Sequence, residues 1–170
     1  LATQATGAQA RVVPALPADS EQPLGHDLDA MAAAISPETR VVFIANPNNP
    51  TGTWVDEAAL KGFLDRVPRD VIVVVDEAYT QFARPLGAPD ASTWLASYEN
   101  LVVSRTFSKI YGLAAERIGW ATGAPHLIDV LNRIRGPFNV TASGQAAGLA
   151  ALGDQSFVVA SREHNAAERA

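Results

Sequence analysis

The chain has 170 residues, 48% hydrophobic and 18% charged, with a net charge of −5. That length supports one domain with a real core, and the acidic balance without any basic cluster argues against a nucleic-acid surface. The sequence has no cysteine, which excludes disulfides, thiolate chemistry and Cys-based zinc sites; no apolar run approaches the roughly 20 residues that cross a bilayer.

Leu1–Thr6 before Gly7 reads as a helix tail with a glycine cap. Ala10–Val13 is a short strand candidate, and Pro14–Gly25 is a proline-rich loop. Asp27 is placed to cap a helix through Met31 to Ile35, which Ser36-Pro37 ends. Val41–Ala45 is a continuous apolar strand that runs straight into Asn46-Pro47-Asn48-Asn49-Pro50-Thr51-Gly52. Thr53 or Asp56 opens the next helix, through Leu60, Phe63 and Leu64, and Val71–Val75 is the next buried strand. A helical stretch over Ala91–Tyr98 leads to a short strand at Leu101–Val103, and Ile118–Ala121 is a further strand. Pro125–Arg135 and Ala142–Leu152 are helices parted by Gly136-Pro137-Phe138-Asn139, and a last helix begins at Gln155.

Strands without alternation, separated by helices, predict an α/β fold with a doubly covered, mostly parallel sheet. Ligands bind such sheets beyond the carboxyl ends of the strands. Asn46–Thr51, Asp76–Tyr79 and Thr106–Lys109 all follow strand ends. The sequence opens on Leu1 rather than Met, and Ser161–Ala170 stops inside a helical pattern without a cap. The expectation is an internal piece of a longer protein, the alternative being a trimmed but self-sufficient domain. No signal peptide is visible, so a cytoplasmic protein is expected.

The chain holds two lysines against eleven arginines. Lys61 lies on an amphipathic helix pattern, as surface lysines do. Lys109 instead has Phe107, Ile110 and Tyr111 around it. An ammonium in apolar surroundings is costly to desolvate, which favours the neutral, nucleophilic amine that covalent lysine catalysis needs. An ordinary solvated loop lysine is the alternative. Asp76 follows an unbroken apolar run, so its carboxylate needs a cationic or hydrogen-bonding partner. It could equally cap a helix or meet an arginine. Asn49 belongs to a proline-flanked turn that holds its amide in a fixed direction, or it serves the turn alone. His26, His126 and His164 show no metal-ligand spacing, and no metal is expected. Arg105, Arg133 and Arg135 are expected to be solvated surface arginines, the alternative for Arg133 or Arg135 being to face an anionic substrate, and Trp54, Trp94 and Trp120 to be packing residues rather than parts of a binding box.

Asn46-Pro-Asn-Asn-Pro-Thr-Gly52, Val73-Val-Val-Asp76-Glu-Ala-Tyr79, Ser108-Lys109 and Arg117 together resemble the pyridoxal-phosphate aminotransferases of the aspartate aminotransferase fold. The resemblance runs from about Val12 to about Leu152. Asn-Pro-Asn-Asn-Pro-Thr-Gly-Thr, Asp-Glu-Ala-Tyr, Arg-Thr-Phe-Ser-Lys and Arg-Gly-Pro-Phe-Asn-Val are most similar to the histidinol-phosphate aminotransferases within that family. The resemblance implies a three-layer α/β/α sheet, the central part of the large domain of the fold type I transferases. Residues 1–153 would belong to that cofactor-binding domain, and residues 154–170 would begin the helix leading to a smaller C-terminal domain.

It also implies roles. Lys109 would carry pyridoxal 5'-phosphate covalently and move the reaction's proton, and Asp76 would partner the pyridinium nitrogen. Asn49 and Tyr79 would hydrogen-bond the phenolic oxygen, and Thr106, Ser108 and Arg117 would contact the phosphate. A bidentate guanidinium with hydroxyl donors suits that dianion, a salt bridge from Arg117 to Glu116 being the alternative. Family members usually read Gly-Leu-Ala-Gly-Leu-Arg-(Ile/Val)-Gly-Tyr, where this chain has Ala115, Glu116 and Trp120. Those departures weaken the link to one substrate group and leave the arginine in place. The implied substrates are histidinol phosphate with 2-oxoglutarate or glutamate, in a homodimer without nucleic-acid or membrane partners. An aromatic or alanine aminotransferase, a phosphothreonine decarboxylase, or a transcription regulator using such a domain as a ligand sensor are the alternatives. Made alone, the 170 residues are expected to be inactive, because the family's substrate-carboxylate arginine, ring-stacking aromatic and upstream phosphate loop lie outside them.

Overall fold

A computed structural model describes residues 2–169. Four strands, β1 (Val41–Ala45), β2 (Ile72–Asp76), β3 (Leu101–Thr106) and β4 (Gly119–Gly123), form one sheet in the order β1-β2-β3-β4. The first three are parallel and β4 runs antiparallel to β3. Among the described residues seven α-helices accompany them: α1 (Ala2–Ala5), α2 (Leu28–Ala33), α3 (Glu57–Leu64), α4 (Thr80–Ala83), α5 (Pro125–Ile134), α6 (Ala142–Gly153) and α7 (Gln155–Arg169). The mostly parallel α/β sheet expected from the apolar runs is the one observed.

Caps place the helices. Asp27 accepts from the Ala30 amide at 2.8 Å to start α2, and Asp56, not Thr53, accepts from Ala59 at 2.8 Å to start α3. Successive strand side chains point to opposite faces. Ile44, Val73, Val75, Leu101 and Val103 therefore share one face, which packs on Leu28 of α2 and on Leu60, Phe63 and Leu64 of α3. Phe63 and Leu60 are wholly enclosed there. The opposite face carries Phe43, Asp76 and Ser104, and Phe43 is 67% exposed.

Three expectations change. Ala10–Val13 is not a strand; Val12 is 83% exposed, and the segment is held through the Arg11 guanidinium on the Ala34 carbonyl at 2.8 Å. The helix expected over Ala91–Tyr98 is only a 3-10 turn, Ala91–Trp94, whose first amides are capped by the Glu77 and Asp90 carboxylates. β3 runs past Val103 to Thr106, since pairing with β4 carries its polar end: Arg105 faces Trp120 and Thr106 faces Gly119.

Candidate active site

Parallel pairing brings the carboxyl ends of β1, β2 and β3 side by side, Ala45 opposite Asp76 and Asp76 opposite Ser104. The site grows from these three ends. After β1, buried Asn46 donates to the Val55 carbonyl at 3.0 Å and accepts from the Val55 amide at 2.8 Å, closing the loop on itself. Asn48 seals the tip, its amide on the Thr53 carbonyl at 2.8 Å and its carbonyl accepting from Gly52 at 2.9 Å. Asn49 is thereby presented outward, and its side-chain amide donates to the Tyr79 hydroxyl at 2.9 Å.

Asp76 ends β2 on the face away from the core. Its register partner Ser104 donates to Oδ1 at 3.0 Å, so a hydroxyl, and neither a helix cap nor an arginine, answers the expected need for a partner. Tyr79 follows one turn later, and Lys109 Nζ lies 5.2 Å from the centre of its ring, a cation–π distance. Beyond β3, Thr106 Oγ1 accepts from the Ser108 amide at 3.0 Å. Arg117 donates to Ser108 Oγ at 3.3 Å and to the Ala114 carbonyl at 2.7 Å. It does not pair with Glu116, which accepts from Ser143 instead. Arg117 holds φ at +53°, a left-handed conformation that costs a residue with a Cβ about 1–3 kcal/mol and is met at binding sites.

All seven candidate residues thus gather at adjacent strand ends, in two groups. Asn49, Asp76, Tyr79 and Lys109 face the first two strand ends, and Thr106, Ser108 and Arg117 follow the third. A cavity of about 460 Å³ opens beside Lys109, lined by Asn49, Tyr79, Trp54 and Phe82 and bordered by Asn165 of α7. Trp54, read as a packing residue, is therefore part of the wall. Ser104 and Phe82 were also missed: only the strand register puts Ser104 opposite Asp76, and only the short α4 turns Phe82 inward.

Two further readings are corrected. Lys109 is exposed rather than enclosed, because Phe107 and Ile110 turn into the core and leave the amine on the open side. Arg105 is not a surface arginine; its side chain is 12% exposed, bonded to Glu77 at 2.6 Å and to Asp90. Arg133 and Arg135 are exposed, as expected. His26 donates from Nε2 to the Ala45 carbonyl at 2.8 Å. Among the described residues no cluster of three metal-ligating side chains occurs, and no helix is long and apolar enough to cross a membrane.

Electrostatics beneath the site are set by Glu77 and Asp90. Burial pushes the Glu77 carboxyl up from its ordinary value, against the pull of the Ala91 amide and the Arg105 guanidinium. Burial opposes ionisation of Asp90 too, but the Ser92 hydrogen bond and the Arg105 and Arg84 guanidiniums outweigh it and hold that carboxyl below the usual range.

A lysine beside a tyrosine ring, a carboxylate at a strand end, an asparagine–tyrosine pair and a hydroxyl–guanidinium pair thus share one edge of the sheet. The sequence model described as aminotransferase class I and II matches residues 2–170. The chain belongs to the class I and II aminotransferases. Histidinol-phosphate aminotransferase 1 of Cupriavidus pinatubonensis is 56% identical over 170 residues, covering 100% of this chain and 44% of the relative. Among solved structures, histidinol-phosphate aminotransferase from Sinorhizobium meliloti in complex with pyridoxal-5'-phosphate superposes with a TM-score of 0.83 at 31% identity, over 94% of this chain and 42% of that one. N-succinyldiaminopimelate aminotransferase from Mycobacterium tuberculosis gives 0.84 at 26% identity, over 98% and 44%. This class I and II aminotransferase chain spans less than half the length of these relatives.

Proposed function

We propose that this chain is the cofactor-binding core of a pyridoxal-phosphate-dependent aminotransferase that acts on histidinol phosphate with 2-oxoglutarate. The observation that carries the reading is the meeting of Asn49 and Tyr79, 2.9 Å apart, beside the Lys109 amine. Pyridoxal phosphate needs those parts in that arrangement, and the residues fit it. The exposed Asp76 carboxylate, with Ser104 on Oδ1 only, would hold the pyridinium nitrogen. Ser108, Thr106 and Arg117, already joined by hydrogen bonds, would hold the phosphate dianion. When bound, the cofactor supplies an electron sink for the substrate's carbanion.

The chain's own residues do the rest. Lys109 Nζ stands on the open side of the site, where it can accept a proton from the substrate carbon and return it. Asn49 and Tyr79 donate toward a phenolic oxygen without adding net charge. Asp76 would set its carboxylate against the ring nitrogen, an opposite charge that favours the protonated form of that nitrogen. Residues 1–153 would then form part of the cofactor-binding domain, with the break at Asp154 between α6 and α7 as the start of the helix toward a smaller domain. A homodimer is the proposed assembly; Ile134 at 75%, Phe138 at 97% and Leu149 at 76% exposure leave apolar surface suited to a protein partner.

The likeness to N-succinyldiaminopimelate aminotransferase favours a second reading, a sister aminotransferase with another amino donor. The test has two arms. The protein carrying these residues is mixed with pyridoxal phosphate, reduced with borohydride and mapped by peptides; label on Lys109 is expected, and label on Lys61 or nowhere overturns the proposal. Turnover of histidinol phosphate against N-succinyldiaminopimelate and aromatic amino acids then separates the two readings.

A further inference from the structure

Arg105 has no part in the site's chemistry as described, yet it is the most heavily bonded side chain near it. Alternation along β3 sends Ser104 and Thr106 to the site face and Arg105 to the other. There its Nε and one terminal nitrogen both donate to Glu77 Oε2, at 2.9 and 2.6 Å. The same terminal nitrogen donates to Asp90 Oδ1 and, at 3.2 Å, to Ser92 Oγ. Arg84 closes the charge balance from the outside, 2.9 Å from Asp90 Oδ2. The Trp120 ring packs 5.2 Å from the guanidinium carbon. Glu77 is 1% exposed, and its other oxygen accepts from the Ala91 amide at 2.7 Å.

A buried ion cluster of this kind adds little net stability, because desolvation offsets most of the attraction. What it does supply is geometry. Glu77 lies in the chain between Asp76 and Tyr79, and Arg105 lies between Ser104 and the turn that ends in Lys109. A planar guanidinium with fixed donor directions joins the two turns and anchors both to the 90–92 segment.

We infer that Arg105 is a positioning residue: by tying Glu77 to Asp90 beneath the sheet end, it sets the separation of Tyr79 and Lys109 above it. The inference rests on the function proposed for this site and names which buried contact holds it to size. A lysine at this position keeps the charge but loses the Nε donor and the fixed planar directions that hold Glu77 Oε2 at two points.

The test compares Arg105→Lys with Phe63→Leu, a core substitution in α3 that lowers stability without touching the cluster. Amide exchange is read first, without cofactor. In Arg105→Lys, exchange over 77–80 and 106–112 should quicken by about tenfold while 73–75 and 101–103 stay protected. With pyridoxal phosphate bound, the pH midpoint of the cofactor's absorbance should move by about half a unit or more. The kcat should fall by roughly tenfold to a hundredfold with KM within about threefold. Phe63→Leu should lower Tm and move none of the three. If Arg105→Lys does not fold, Asp90→Asn, which frees one side of the guanidinium, should shift all three readings the same way by less. Identical behaviour of the Arg105 and Phe63 variants overturns the inference. If the parent protein shows no cofactor absorbance, the proposed function fails instead, while the exchange result still decides whether Arg105 holds the two turns together.

Discussion

Tyr79→Phe is the substitution that isolates the donor pair. It removes one oxygen and keeps the ring, so the Lys109 contact at 5.2 Å survives. Asn49 Nδ2 already occupies one lone pair of the Tyr79 oxygen at 2.9 Å, which leaves the phenolic hydrogen free to point into the cavity. There it would donate to the anionic phenolic oxygen of pyridoxal phosphate, a charge-assisted bond worth about 1.5–3 kcal/mol. Its loss should weaken cofactor binding by about tenfold to a hundredfold. Asn49 is exposed, so water replaces its lost acceptor and adds little further cost. Asn49→Ala should have a smaller effect, roughly 0.5–1.5 kcal/mol, because Tyr79 keeps its own hydrogen. The double variant should lose less than the sum of the two, since each residue orients the other. The assay is a titration of the protein carrying these residues with pyridoxal phosphate, followed by the fluorescence of Trp54, which lines the same cavity. Unchanged affinity in Tyr79→Phe, or strict additivity in the double variant, would refute the reasoning.

Other perturbations have equally definite outcomes. Asp76→Asn keeps the Ser104 bond on its remaining carbonyl oxygen, so folding should be preserved while turnover drops by orders of magnitude for want of a negative partner to the ring nitrogen; near-normal turnover would make Asp76 a structural residue. A Cβ added at Gly119 would sit 2.7 Å from the Arg105 carbonyl, a backbone atom that cannot swing aside. Gly119→Ala should therefore push β4 off β3 and cost about 1–3 kcal/mol in a denaturant melt. Asp90 is held below its ordinary 3.8, so the stability it contributes is present above that value and lost as pH falls toward the lower folded one. Asp90→Asn should flatten the acid limb of the stability curve below about pH 4, and an unchanged limb would show that the carboxylate is not held as described. Glu77 works in the opposite sense: its raised value makes its own contribution grow as pH falls.

Local signals were enough for β1 and β2, while the candidate residues were singled out largely by the family resemblance. Apolar runs without alternation made β1 and β2 legible from Val41–Ala45 and Val71–Val75, although the face that bears Phe43 is open in this chain, and polar residues follow both runs. Asp27 and Asp56 announced helix starts because an unpaired amide at a helix end needs a nearby side-chain oxygen. What the chain order could not contain was register and direction of facing. Ser104 is bonded to Asp76 only because β2 and β3 pair at that offset. Lys109 is open to the cavity only because Phe107 and Ile110 turn the other way into the core. Arg105 reads as one more charged residue in the sequence, and charged residues are usually solvated; it is buried because Glu77 and Asp90, distant along the chain, arrive on the same side of the sheet end. Side-chain chemistry is a property of each residue, but its partner is a property of the packing, and the packing alone decided which charges in this protein face the open strand ends and which are buried beneath them.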